Sequence, residues 1–259
     1  LPVGEPMVIT TVLPDDYDET AIAIRSSLQD VSIYIDGALR VHYSTSKTRL
    51  VGKNSASRYI FCTTSSHDAG KELRIELTTY TSNYSGVVNQ VFCGSKIDIW
   101  QFIFSKYALA TYIAYFILFA GLTVILFSFT LGIVYHTSFD MEYLGWCMVM
   151  AATWMIGESK LRQLLVPNAS ALSSLCFVMI LLGPIPLLLY ANSVLHGLHS
   201  RLYRNVSRLA LLNFAVCSIL MITRTADYIE TLPIGQIILV GTFLMVFINI
   251  CVYTKKSKS

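Results

Sequence analysis

Two charged pairs stand at the ends of otherwise apolar runs. Glu158 and Arg162 are four residues apart, and Arg224 and Asp227 are three apart. On a helix either spacing places both members on one face, where they can bond as ions. Ionisable groups at membrane depth are candidate ligand or coupling sites, and interfacial anchoring by snorkelling side chains is the plainer alternative. No His/Cys metal spacing and no Ser or Cys nucleophile beside a base occurs, so no catalytic constellation and no cofactor is expected. His42 and His67 stand alone, and the run Asp15, Asp16, Asp18 and Glu19 lacks the ligand spacing and glycine of an EF-hand.

Three further sets complete the candidates. Tyr34, Tyr43, Tyr59, Tyr80 and Tyr84 could form an aromatic contact surface for a sugar or peptide, although strands favour tyrosine anyway. Cys62 and Cys93 could pair as a disulfide if their segment lies outside the cytoplasm. Pro184 and Pro186, within Gly183-Pro-Ile-Pro186, remove two backbone donors and mark a kink that could act as a hinge. The amides Asn192, Asn213 and Asn249 are expected to bond between helices.

The elements that position these residues fall into two parts. The chain has 259 residues, 54% hydrophobic and only 14% charged, and its mean hydropathy is +0.57. Most of the charges precede Tyr107. Residues 1–98 alternate as short strands: Val31, Ile33 and Ile35 face one way, Asp36-Gly37 makes a hairpin turn, and Leu73, Ile75 and Leu77 alternate with Arg74 and Glu76. Seven or eight such strands predict an extracytoplasmic β-sandwich. Residues 99–259 predict a transmembrane bundle of five spans, at 107–135, 143–166, 172–195, 209–223 and 234–253, judged against the ~20 residues needed to cross a bilayer.

Orientation follows from basic residues in short loops. With the β-domain outside, Arg201, Arg204, Arg208, Lys255, Lys256 and Lys258 lie inside, against Lys160, Arg162 and Arg224 outside. Both charged pairs then lie at the outer face. A net charge of +3 without a basic stripe gives no footing for nucleic acid. The bilayer is the expected partner.

The hairpin Val31-Ser-Ile-Tyr-Ile-Asp-Gly-Ala-Leu39, the stretch Gly70-Lys-Glu-Leu-Arg-Ile-Glu-Leu77 and the closing Gly94-Ser-Lys96 are similar to jelly-roll, carbohydrate-binding-like (galactose-binding-like) domains. With Glu158-Ser-Lys-Leu-Arg-Gln-Leu164 and Pro184-Ile-Pro-Leu-Leu-Leu189, the chain resembles bacterial seven-transmembrane receptors with diverse intracellular signalling modules. In particular it resembles the sensor half of those that carry a GGDEF diguanylate cyclase. The resemblance implies an extracellular small ligand, a bacterial cell membrane location, and a homodimer through the output domain. Five spans stand where that family has seven, and no GGDEF, EAL or histidine-kinase motif occurs. The chain, which begins at Leu1 and ends on Lys255-Lys-Ser-Lys-Ser259, is therefore expected to be cut from a longer one. A signal or anchor is expected before it, and two helices with the output domain after it. A transporter component and an adhesion or assembly protein are the alternative readings.

Overall fold

The computed structural model describes residues 2–49, 51–136, 140–166 and 168–257. The chain divides into two compact units. The first comprises Leu1–Leu109 with Lys160–Ser173, and the second Ala110–Ser159 with Ser174–Ser259.

Among the described residues of the first unit are seven strands: β1 (Pro6–Val12), β2 (Ala21–Arg25), β3 (Gln29–Ile35), β4 (Ala38–Tyr43), β5 (Tyr59–Thr63), β6 (Glu72–Thr79) and β7 (Val91–Gly94). All pairings are antiparallel, in a four-stranded sheet ordered β1-β6-β3-β4 and a three-stranded sheet ordered β5-β2-β7. Strand alternation sends Val31, Ile33, Ile35, Leu73, Ile75 and Leu77 from one sheet and Ile22, Ile24, Ile60 and Cys62 from the other into one shared core. Burial of each such isoleucine or leucine stabilises the unit by about 1.5–3 kcal/mol. The Asp36-Gly37 turn forms as expected, with both residues at positive φ (53° and 75°).

Strand β2 is buried on both faces, which periodicity alone does not reveal. Ile22 and Ile24 face the sandwich core, while Ala21 and Ala23 face outward. Their small side chains admit the start of a long helix, α1 (Lys96–Tyr135), whose Ile99 and Ile103 pack on them beside Tyr59 and Leu161. Ser95 caps α1: the Asp98 N–H donates to Ser95 Oγ (3.1 Å), and the Ser95 hydroxyl donates to Asp98 Oδ2 (2.6 Å). The compact β-containing unit thus runs past residue 98, where the sequence reading ended it, and recruits a segment from beyond residue 159.

Six further helices follow among the described residues: α2 (Met141–Glu158), α3 (Arg162–Leu165), α4 (Ala169–Leu182), α5 (Pro184–Val194), α6 (Ser200–Ile222) and α7 (Tyr228–Ser257). Among the described residues, four stretches are long and apolar enough to cross a membrane: Lys96–Tyr135, Ala169–Val194 (α4 with α5), Ser200–Ile222 and Tyr228–Lys255. They make this a multi-pass membrane protein. Phe116, Phe129, Ile237 and Phe247, each more than 60% exposed, form the kind of apolar surface that only lipid or a partner tolerates.

Four such stretches stand where five were expected, and the bounds of the second expected span are corrected here. The second predicted span, 143–166, is not one helix, because α2 stops at Glu158 and residues 160–173 belong to the first unit. Its apolar character past Glu158 serves packing on a sheet, as at Leu161, which is 3% exposed. The helix that remains has 18 residues with Glu142 and Glu158 near its ends, and it falls short of the apolarity of the other four. The arginine-bearing segment 196–208, read as a loop, is mostly the first turns of α6.

Within the second unit, α1 and α2 form an antiparallel pair. Thr111 meets Ser159 through their hydroxyls (2.7 Å), and glycines at 121 and 145 let the backbones approach. A Cβ on Gly145 would lie 3.0 Å from the Gly121 carbonyl and 2.6 Å from Ile125 Cγ1. Gly183 divides the third span into α4 and α5, and Pro184 and Pro186 lie in the first turn of α5, where a missing N–H costs least. Asn249 donates to the Tyr203 hydroxyl (3.0 Å), as expected of an interhelical amide. Asn192 Oδ1 and Asn213 Nδ2 are buried without a hydrogen-bond partner among the described residues.

Candidate functional site

The segment that leaves α2 is held to the sandwich by three successive contributions. Leu161 packs among Ala21, Ala23, Tyr59, Ile99 and Ile103. Arg162, only 6% exposed, donates from Nη2 to the Ser57 carbonyl at 2.6 Å. Gln163 accepts the Tyr59 N–H at Oε1 (2.6 Å) and donates from Nε2 to the Tyr59 carbonyl (3.3 Å). Strand β5 is an edge strand, and this side chain occupies backbone groups at its first residue much as a neighbouring strand would. Asn168 then accepts the Ala171 N–H at Oδ1 (3.0 Å), capping α4.

Beside this docked segment lies a polar pocket of about 480 Å³. Tyr43, Thr45 and Thr48 line it from the end of β4 and the loop after it, Arg58 from the approach to β5, and Asn168 and Ser170 from the start of α4. The Arg58 guanidinium sits 5.5 Å from the Tyr43 ring centroid, and the Tyr43 hydroxyl donates to the Ala56 carbonyl at 2.6 Å. Burial pushes the Tyr43 phenol up to about 12, with the positive charges of Arg58 and Arg162 opposing that rise. The phenol therefore stays neutral through the physiological range. Hydroxyl, amide and guanidinium groups around one aromatic wall can hydrogen-bond a small, hydroxyl-bearing ligand.

The expected charged pairs take different forms. Helix α2 ends between Glu158 and Arg162, so the two do not share a helix face: Arg162 belongs to the first unit, while Glu158 is the exposed last residue of α2. Cys176 Sγ lies 3.9 Å from Glu158 Oε1. Arg224 is an exposed turn residue at φ 57°, beyond the end of α6. Asp227 is buried at the start of α7, where its N–H donates to Glu230 Oε2 (2.9 Å), the reciprocal half of a capping box. A shared helix face is thus lost for the second pair also, because the chain turns between its members.

The tyrosines do not form one surface. Tyr59 is 5% exposed and meets the Trp100 ring edge-on at 6.1 Å. Tyr34 lies on the outward face of its sheet beneath Arg74, and Tyr43 packs against the opposite, core side. Tyr80 and Tyr84 belong to the turns after β6. Only Tyr43 lines the pocket.

The disulfide is corrected by register. Cys62 and Cys93 both pair with Ile22, from strands on opposite sides of β2, and both thiols are free. Two strand spacings place their Cα atoms roughly 9–10 Å apart, beyond the ~7 Å limit for bridging. Among the described residues no cluster of His, Cys, Asp and Glu could hold a metal.

Sequence reasoning missed Arg58, Gln163 and Asn168. The first two flank apolar runs and the third precedes one, so their only signal was a polar residue beside a burial pattern. Comparison with protein-family models, curated proteins and solved structures returned no match to this chain.

Proposed function

We propose that this chain is the sensing and membrane-spanning portion of a bacterial signalling receptor. In this reading the sandwich is a jelly-roll-like extracytoplasmic domain that binds a small hydroxyl-rich ligand, a carbohydrate being the best fit to the pocket. The bundle transmits a packing change to a cytoplasmic output outside this chain, for which a dimeric GGDEF diguanylate cyclase is the expectation from resemblance. The supporting observation is that Asn168 and Ser170 line the same pocket as Tyr43 and Arg58. A ligand there touches both the sandwich and the N-terminal turn of an apolar span-length helix. Coupling requires only that it bind one arrangement of that segment better than another.

Five crossings are part of the proposal. The α1 and α2 contacts run from Thr111–Ser159 to Ile125–Gly145, about 21 Å along the axis at 1.5 Å per residue. Such a return beside a membrane-spanning helix, over most of the ~30 Å hydrocarbon core, supports a fifth crossing. Five crossings put the β-domain and the basic C-terminal residues on opposite sides. On that topology the excess of Lys and Arg at 201–208 and 255–258 supports a β-domain outside the cell membrane.

The test is a thermal-shift screen of mono- and disaccharides against the chain in nanodiscs. A saturable stabiliser whose effect is lost in Arg58→Gln and Asn168→Ala supports the reading. Hits unaffected by both substitutions would remove the pocket from it.

A further inference from the structure

A second polar groove of the first unit, about 130 Å³, lies on the helix-covered side of the three-stranded sheet. Arg25 at the end of β2, Lys106 on α1 and Lys160 at the start of the docked segment line it, and none of its lining residues is acidic. Its wall is aromatic: Tyr59 and Phe92 lie 6.3 Å apart, and Phe92 and Phe102 5.6 Å. Asn89 braces the Arg25 end, donating from Nδ2 to the Arg25 carbonyl (2.7 Å) and to Ser27 Oγ (2.8 Å). Arg25, Lys106 and Lys160 thus bring three cationic groups to one small cavity, where an anion can accept charge-assisted hydrogen bonds.

The groove's position along α1 limits what that anion is. Lys106 is the last charged residue before Tyr107–Tyr135, a run with no Asp, Glu, Lys or Arg. Its ammonium group rests 5.8 Å from the Phe102 ring and 5.6 Å from the Tyr107 ring. Aromatic and basic residues at the boundary of an apolar helix lie at headgroup depth, where phosphate is the abundant anion.

We propose that Arg25, Lys106 and Lys160 form a phosphate site that holds the headgroup of an anionic phospholipid. The arginine offers a planar fork to two phosphate oxygens, and the lysines act as point charges. The aromatic wall accommodates the glycerol and first methylenes. This site is separate from the proposed sugar pocket and stands whether or not the chain is a receptor.

Native mass spectrometry of the full chain from mixed phosphatidylglycerol and phosphatidylcholine nanodiscs tests it. The wild type is expected to retain phosphatidylglycerol. Arg25→Gln, Lys106→Gln and Lys160→Gln are each expected to weaken retention about fivefold, the value of roughly one interfacial charge. Arg74→Gln, on the opposite sheet, is the control and leaves retention unchanged. Inorganic phosphate titrated into phosphatidylcholine-only discs, read by thermal shift, separates the sources: a shift lost in the same three variants keeps the phosphate site and assigns it a soluble ligand. Should the variants fail to fold, the wild type's preference for phosphatidylglycerol over uncharged diacylglycerol decides. Equal retention of those two lipids, with no shift from phosphate, overturns the proposal.

Discussion

The Gln163 side chain satisfies both backbone groups of Tyr59, accepting its N–H at 2.6 Å and donating to its carbonyl at 3.3 Å. One amide thereby holds the segment after α2 on the edge of a sheet about a hundred residues earlier in the sequence. Replacing it by alanine leaves a partly buried backbone donor and acceptor without that partner, at a cost of about 1–3 kcal/mol. Gln163→Ala is expected to raise amide hydrogen exchange at residues 59–61 and 161–164 while strands β3 and β6 keep their protection. Uniform exchange across the sandwich would instead mean global destabilisation.

Asp68 is nearly inaccessible and serves several partners. It accepts from Arg40 (2.9 Å) and from the Ser65 N–H (3.1 Å), with Lys71 at 3.5 Å. Arg40 reaches it because it is the extra residue of a β-bulge opposite Ile33 and Tyr34. Asp68→Ala is expected to destabilise the first unit by about 1–3 kcal/mol, the net worth of charged hydrogen bonds to a buried carboxylate. The check is chemical denaturation followed by tyrosine and tryptophan fluorescence.

Tyr43 makes the first unit sensitive to alkali. Burial raises its phenol above the ordinary value of 10 to about 12, so the folded state favours the protonated form. That contribution to stability is complete below pH 10 and is lost as pH rises through 12. The melting temperature of Tyr43→Phe is expected to fall less steeply than wild type between pH 10 and 12.

The two sandwich cysteines are expected to remain thiols, and to differ in reactivity. Burial pushes both thiols up, but Cys62 is fully buried whereas Cys93 is exposed on an edge strand. Non-reducing peptide mapping should find no 62–93 bridge. Maleimide should label Cys93 in the native chain and Cys62 only after unfolding.

Gly145 sets the spacing between α1 and α2, since an added Cβ would meet Ile125 at 2.6 Å and the Gly121 carbonyl at 3.0 Å. Gly145→Leu is expected to cost about 1–3 kcal/mol by overpacking. Unfolding in detergent should show that loss in the helical unit with the sandwich unaffected.

Much of the sandwich was legible because alternation and turn chemistry are local. Asp36-Gly37 announced its own hairpin, and the apolar positions of β3 and β6 announced their face. The partner of a face is not local. The Ile and Ala of β2 read simply as a strand, and nothing in that pattern says a helix covers the alanines. Leu161 and its neighbours likewise read as the continuation of a span, because an apolar run destined for a sheet looks the same as one destined for lipid. The Glu158–Arg162 and Arg224–Asp227 spacings carried meaning only if the helices continued, and both stop short. The cysteine pair failed for a related reason: pairing depends on register across β2, which spacing does not fix.

The central claim is that a ligand in the Tyr43–Arg58–Asn168 pocket changes how the segment 160–173 is held. Hydrogen exchange of the chain in nanodiscs, with and without a saturating hit from the saccharide screen, tests it most directly. The account predicts altered protection at residues 161–171 together with protection around the pocket. Protection confined to residues 43–58, with the docked segment unchanged, would contradict it.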